Sequence, residues 1–232
     1  MIAVISGGAT GIGRKCAEKF KKEGYTVYAL YFMSVDAAAQ LTGIKTLKCD
    51  VRCYSDCKTA ISAVLDAEGK IDVLVNNAGV DLWGLLTDYT QEQIAEVINT
   101  NLIGTINLTK AAVPSMVNAK NGSIVNISSF QGAGGASCES VYSATKGAIN
   151  AFTKSIAKEF GPSNITVNAA APGLINTKMN AHLSETDISE VISQTPLTRI
   201  GTPDDVADAV YFLATHPFIT GQILNVDGGL SL

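Results

Sequence analysis

Ile2-Ala3-Val4-Ile5-Ser6-Gly7-Gly8-Ala9-Thr10-Gly11-Ile12-Gly13 decides the fold. Five residues of strand character run straight into a glycine-rich turn. An amphipathic segment, Ile12–Glu23, follows. Glycines let a backbone turn sharply and approach a pyrophosphate closely, and a helix that starts there offers free amides and a favourable dipole. Flanked by a first strand and a first helix, the loop reads as a nucleotide cradle rather than a bare tight turn.

The same alternation continues along the chain. Strands are expected at Ile2–Ser6, Thr26–Tyr31, Ile44–Lys48, Val73–Val75, Ser123–Ile127, Thr166–Ala170 and Ile223–Val226. Between them lie amphipathic segments such as Ile12–Glu23, Asp56–Glu68, Gln91–Val117 and Val141–Phe160. Strand–helix alternation predicts an α/β fold, a Rossmann-type doubly wound parallel sheet of about seven strands with helices on both faces. No repeat, linker or low-complexity run interrupts it, so residues 1–232 are expected to form one domain. Such sheets bind ligands beyond the carboxyl ends of their strands, where the motifs of this chain fall.

Composition narrows the function classes. Of 232 residues 47% are hydrophobic and 16% charged, which suits a core-rich globular protein. A net charge of -4 and a pI near 5.2 argue against a general nucleic-acid binder. The densest basic stretch is Lys19, Lys21 and Lys22. No charged leader precedes the first strand and no apolar run is long enough to span a bilayer, so a soluble cytoplasmic protein is expected. Cys49, Cys53 and Cys57 recur every fourth residue. The two histidines, His182 and His216, lie far from them in contexts of loops or helix ends. Reduced structural thiols, and no metal, are the expectation.

Tyr142-Ser143-Ala144-Thr145-Lys146 carries the chemistry. A Tyr and a Lys four apart share one helix face. A free phenol titrates near ~10, and an adjacent ammonium is expected to lower that value and make it an acid and base for neutral pH. Ser129 stands thirteen residues before Tyr142, and Asn101 lies in Thr100-Asn101-Leu102.

Together these residues resemble the short-chain dehydrogenase/reductase family over nearly the whole chain. The Gly-x3-Gly-x-Gly spacing of Gly7, Gly11 and Gly13 matches its loop. Asn76-Asn77-Ala78-Gly79 matches the motif after its fourth strand, and Asp50-Val51 the pair that contacts adenine. Pro172-Gly173 and Thr177 match the segment that closes over the nicotinamide. The resemblance implies a catalytic set of Asn101, Ser129, Tyr142 and Lys146. Tyr142 gives the proton during ketone reduction, and Lys146 tunes it and binds the cofactor ribose. Ser129 bonds the substrate oxygen, and Asn101 helps hold a water that links Lys146 to solvent. Ser128 is the alternative to Ser129; the thirteen-residue spacing chooses between them.

The implied cofactor contacts are Gly7, Thr10, Gly11, Ile12, Gly13, Tyr31, Asp50, Val51, Asn77, Ala78, Gly79, Tyr142, Lys146, Pro172, Gly173 and Thr177. At the end of the second strand Tyr31 and Phe32 stand where an acid would repel a 2′-phosphate. No Arg or Lys follows to bind one, and Thr10 replaces the basic residue of many NADP-dependent relatives. Arg14 is a further contact. NADP(H) is favoured over NAD(H). The short connection from Met33 to Gly43 predicts an open adenosine pocket.

The substrate pocket is expected between Val80–Trp83, Phe130–Glu139 and a mobile lid at Leu174–Leu197, with Trp83, Gln131 and Glu139 as substrate contacts. Gly201-Thr202-Pro203, Thr220-Gly221-Gln222 and Asp227-Gly228-Gly229 resemble the 3-oxoacyl-acyl-carrier-protein reductase branch. Two arginines that grip the acidic carrier in that branch are replaced by Ser123 and Ser163. Gly135-Ala136-Ser137-Cys138-Glu139 resembles instead the elongation factor P 5-aminopentanone reductases, whose protein-linked ketone carries a cationic amine. Glu139, with Asp81, would pair with such a cation; the alternative for Glu139 is a solvated acid at a helix start. The resemblance also implies a homotetramer built through Gln91–Val117 and Val141–Phe160. A non-catalytic dinucleotide-binding regulator is the reading from a different class; the filled Asn, Ser, Tyr and Lys positions oppose it.

Overall fold

The computed structural model describes residues 1–181 and 183–232, so His182 lies outside the described residues. Seven parallel strands form one sheet in the order β3-β2-β1-β4-β5-β6-β7. They are β1 Ile2–Ser6, β2 Thr26–Tyr31, β3 Lys45–Lys48, β4 Val73–Asn76, β5 Gly122–Ile127, β6 Ile165–Pro172 and β7 Ile223–Val226. The helices are α1 Gly11–Lys22, α2 Val35–Ala39, α3 Tyr54–Glu68, α4 Gln91–Ile98, α5 Gly104–Ala119, α6 Gln131–Gly134, α7 Ser140–Phe160, α8 Glu185–Gln194 and α9 Pro203–Thr215.

Every residue of β1 is buried because helices cover both faces of the sheet. The strand period of two sorts its side chains. Ala3 and Ile5 join one core with Phe20 of α1 and Val210 and Leu213 of α9. Ile2 and Val4 join the other with Ile61 and Val64 of α3, Leu108 and Met116 of α5, and Ile156 of α7. The lysines near the end of α1 complement the helix dipole there, and Lys19 also pairs with Glu23 and Asp208.

Strand order reverses between β1 and β4, and this switch point is tied by side chains. Ser6 Oγ accepts from the Asn77 and Ala78 amides at 2.9 and 3.0 Å, and Asn77 Nδ2 donates to the Ser6 carbonyl at 2.9 Å. Gly7 takes φ +62°, a left-handed turn that favours glycine. Gly13 lies directly beneath it: a Cβ there would stand 2.2 Å from the Gly7 carbonyl oxygen and 2.4 Å from Asn77 Nδ2.

Gln91–Val117, expected as one helix, is two. A π-helical turn, Asn99–Ile103, separates α4 from α5. The extra residue turns Asn101 inward and seats Gly104 against Val51, where a Cβ would meet Val51 Cγ2 at 2.6 Å. The expected lid, 174–197, contains a short turn at Lys178–Asn180 and the helix α8. Three further helices, α2, α6 and α9, were not anticipated. For α8 and α9 a signal existed: Ser184–Asp187 and Thr202–Asp205 form reciprocal caps, with Pro203 in the first turn of α9.

Gly13→Ala is expected to lower the unfolding free energy by about 1–3 kcal/mol. It would be read as a lower urea midpoint at unchanged slope. An unchanged midpoint would mean that the Gly7 turn yields without cost.

Candidate active site

The carboxyl ends of the strands open into two joined hollows. One is a pocket lined by Trp83, Ser129, Gln131, Glu139, Tyr142 and Lys146, with Asp81, Pro172, Gly173, Leu174, Met179 and Leu183. The other is a groove between the glycine loop, Gly7 to Ile12, and the segment Met33 to Gln40. Ile12, Asn77, Gly79, Thr177 and Met179 border both, so the two form one continuous cleft.

In the pocket, α7 presents Tyr142 and Lys146 one turn apart. Lys146 is buried, its ammonium 5.3 Å from the Tyr142 ring centre, and it donates to the Ile127 carbonyl at 2.9 Å. Ser129 follows β5 and hydrogen-bonds the Tyr142 hydroxyl. Ser128 turns away into α7, where its hydroxyl donates to Asn150 Oδ1 at 2.6 Å. The two hydroxyls thus face opposite ways, Ser129 toward Tyr142 and Ser128 toward Asn150. Asn101 is fully buried. Its Oδ1 accepts from the Val80 amide at 2.8 Å, and its Nδ2 donates to the Val80 carbonyl at 2.9 Å and to Thr145 Oγ1 at 3.3 Å. It clamps the loop after β4 to α7.

Burial, not the neighbouring ammonium, dominates the titration of the pair. Desolvation pushes the Tyr142 phenol well above its ordinary value, and the Asp81 and Glu139 charges add to this. Desolvation pushes Lys146 down to about 8, with Asp81 opposing. The net shift of Tyr142 is upward, set first by burial, and Lys146 is not among the groups that move it. The ammonium is itself desolvated, and its hydrogen bond goes to Ile127.

The pocket mouth is acidic. Gln131 Nε2 donates to Glu139 Oε2, and Gln131 Oε1 is buried with no protein partner among the described residues. The two walls are tied together. Tyr89 bonds the carbonyls of Leu82 and Cys138 at 2.9 and 2.8 Å, and the Gly84 amide donates to Cys138 at 2.8 Å. Cys138 pays for this corner with φ +63°, beside Glu139.

The groove suits an anionic dinucleotide. Thr10 makes no side-chain cap at the start of α1, and the first turn holds no acid. Its amide end is therefore available to a pyrophosphate. Gly7, Thr10, Gly11, Ile12, Asn77, Ala78, Gly79 and Thr177 lie on the groove wall, and Pro172 and Gly173 on the pocket wall. Four expected contacts do not line either hollow. Gly13 is packed beneath Gly7, Tyr31 packs on the core, and Val51 is buried against Gly104. Asp50 is engaged with Arg52, Nε to Oδ1 at 2.9 Å and Nη2 to Oδ2 at 2.7 Å.

Sequence reasoning missed Asp36, which α2 brings to the groove wall near Arg14. The unpredicted helix hid it. Among the described residues no group of three His, Cys, Asp or Glu could hold a metal, and no helix is long and apolar enough to cross a membrane. Cys49 and Cys57 are buried free thiols, and His216 caps the end of α9.

Residues 7–231 match the family model described as enoyl-(acyl carrier protein) reductase. The chain is 38% identical over 234 residues to carbonyl reductase family member 4 of Xenopus laevis, covering 100% of this chain and 98% of the relative. It is 39% identical over 238 residues to a 3-oxoacyl-acyl-carrier-protein reductase of Thermotoga maritima, covering 99% and 97%. The ligand-free aldohexose dehydrogenase of Thermoplasma acidophilum superimposes with a TM-score of 0.92 at 34% identity, covering 99% and 93%.

Lys146 predicts a pH dependence of stability. Its folded value, about 8, lies below the ordinary 10.5. Between those values the unfolded chain binds the extra proton, so unfolding free energy rises with pH there. Relative to Lys146→Met, the native chain is expected to gain up to about 3 kcal/mol from pH 7.5 to 10.5. Parallel denaturant titrations would check this; a constant difference would mean that Lys146 is not desolvated.

Proposed function

We propose, for a chain that belongs to the short-chain dehydrogenase/reductase family, that it reduces a ketone to a secondary alcohol with Tyr142 as the proton donor. It is an NAD(P)-dependent oxidoreductase acting on alcohol and carbonyl groups. The meeting of Ser129, Tyr142 and Lys146 at the end of a cleft that begins on the glycine loop carries the reading. A bound nicotinamide would supply the hydride, and Gly7 to Ile12 would hold its pyrophosphate at the α1 amides. Ser129 and the Tyr142 hydroxyl bind the carbonyl oxygen and so stabilise the charge that grows on it. The raised phenol value keeps Tyr142 protonated at neutral pH, loaded for donation. Lys146, poised near 8, restores that proton, and Asn101 holds the relay path to solvent.

The cofactor in this reading is NADP(H) rather than NAD(H). The substrate is a ketone that carries a cationic amine. Asp81 and Glu139 share the pocket with Tyr142, and among the described residues Lys146 is the one cation in its lining. A lysine-linked aminopentanone on elongation factor P is the instance implied by Gly135–Glu139. A 3-oxoacyl thioester is the second reading, favoured by the apolar walls Leu174, Met179, Leu183 and Val191 and by what the relatives are named for. Ser123 and Ser163 do not decide between them. Within this chain they stand at the amino ends of β5 and β6, away from the pocket, and Ser123 accepts from Thr166 Oγ1 at 3.0 Å. Residues 174–197 act as the lid. The enzyme works in the cytoplasm, where its five free thiols stay reduced. It assembles as a homotetramer through α4–α5 and α7, where Ile98 and Ile103 stay partly exposed.

Loss of reduced-nicotinamide absorbance with an acetoacetyl thioester and with an aminoketone tests both parts. Tyr142→Phe should cost about 10³-fold or more in kcat on the better substrate while cofactor binding persists; retained turnover would remove Tyr142 from the chemistry. Glu139→Gln with Asp81→Asn should raise KM for the aminoketone about tenfold. The neutral thioester should be unaffected. Rapid turnover of the thioester alone would instead place the chain with the 3-oxoacyl reductases.

A further inference from the structure

The acidic mouth of the pocket is assembled from two separate loops. Asp81 lies on the one that follows β4, where its Oδ1 accepts from the Leu82 amide at 2.7 Å. Glu139 ends the other, just before α7, where its carbonyl accepts from the Ser143 amide at 2.8 Å. Both carboxylates line one pocket. Like charges that share a cavity repel each other, so the two loops need a tie that holds them together.

That tie is Tyr89, which itself lines neither hollow. It precedes Thr90, the cap of α4, where Thr90 and Gln93 bond each other reciprocally at 2.9 and 3.2 Å. The phenol is therefore carried on a fixed helix start. Its hydroxyl reaches the Leu82 carbonyl at 2.9 Å, next to Asp81, and the Cys138 carbonyl at 2.8 Å, next to Glu139. The Gly84 amide also donates to the Cys138 carbonyl, at 2.8 Å. These two bonds hold Cys138 at φ +63°, a left-handed conformation that a residue other than glycine adopts at a cost. Desolvation first, with the charges of Asp81 and Glu139 adding, raises the Tyr89 phenol above its ordinary value. It therefore stays a donor at neutral pH, with both acids close to its hydroxyl.

We propose that Tyr89 is a positioning residue: it staples the Asp81 loop to the Glu139 loop and so fixes the two carboxylates as a seat for a substrate's ammonium. The enzyme then prefers a cationic ketone over a neutral one of the same shape. The inference rests on the reading in which the substrate carries a cation. It adds the reason why two acids can stand together before the ligand arrives. A seat that is already gathered loses no binding energy to gathering it.

Steady-state kinetics of the full chain with two ketones tests this. One ends in a trimethylammonium group, and the other is its uncharged isostere ending in a tert-butyl group. The native enzyme should favour the cationic ketone. Tyr89→Phe removes the hydroxyl and keeps the ring. It should raise KM for the cationic ketone about tenfold at unchanged kcat and leave KM for the neutral one within about twofold. Where Asp81→Asn and Glu139→Gln are already present, Tyr89→Phe should change neither KM further. A merely structural loss would raise both KM values in either background, and that result would overturn the staple. So would a native preference that survives Tyr89→Phe intact, and it would leave the cationic reading standing. A native enzyme that does not distinguish the two ketones would overturn that reading and the staple with it.

Discussion

Everything functional here hangs on how β1 and β4 leave the sheet. At that switch point the two chains diverge, and a crevice opens because their backbone ladder ends at Ile5 and Val75. Ser6 closes its floor with three hydrogen bonds, two from Asn77 and one from the Ala78 amide. That exchange satisfies backbone groups that the ladder can no longer pair. It also fixes the glycine loop relative to Ala78 and Gly79, which border the same groove. Gly13 lets α1 start directly under this floor. A side chain there would push the helix amides away from the place where a pyrophosphate must sit. The cradle is therefore a packing constraint first and a binding site second.

The parts of this architecture that were legible in the sequence are those set by local patterns. β1, β2 and β7 keep their expected bounds because apolar runs ended by turn residues leave little choice. The Tyr142–Lys146 pair, Ser129 and the glycine loop were legible because their spacing is their geometry. What was not legible depends on tertiary context. The break between α4 and α5 exists because Asn101 must reach Val80 and Gly104 must clear Val51. An amphipathic pattern carries no trace of either contact. Asp50 reads as a ligand residue in sequence, but in the fold its carboxylate is already committed to Arg52. Sequence distance likewise hid the approach of Tyr89 to Cys138.

The upward shift of Tyr142 depends on tertiary context as well. Helical spacing says that two side chains share a face; it does not say where the ammonium points. Lys146 points at the Ile127 carbonyl, and both groups lie in a desolvated site. There, burial acts against both charged forms, phenolate and ammonium alike. That arrangement costs stability, because an ammonium near pH 7 is held out of water with one carbonyl for company. Such a cost persists where a group is kept for its chemistry rather than for the fold.

The cleft is polarised along its length. At the pocket end stand Asp81 and Glu139 with Lys146; the groove end holds Arg14 and Lys178 with Asp36. Between them the walls are mostly backbone and apolar side chains, with the glycine loop, Ile12 and Thr177 at the narrowing. A dinucleotide brings its phosphates to one end only, and a cation-bearing ketone would bring its charge to the other. Each ligand would then meet the field that attracts it and be disfavoured in its partner's place. The net charge of -4 hides this division, because the sum averages two ends that have opposite sign. The fold thus places charges of opposite sign along one cleft, and packing decides which of them are already paired.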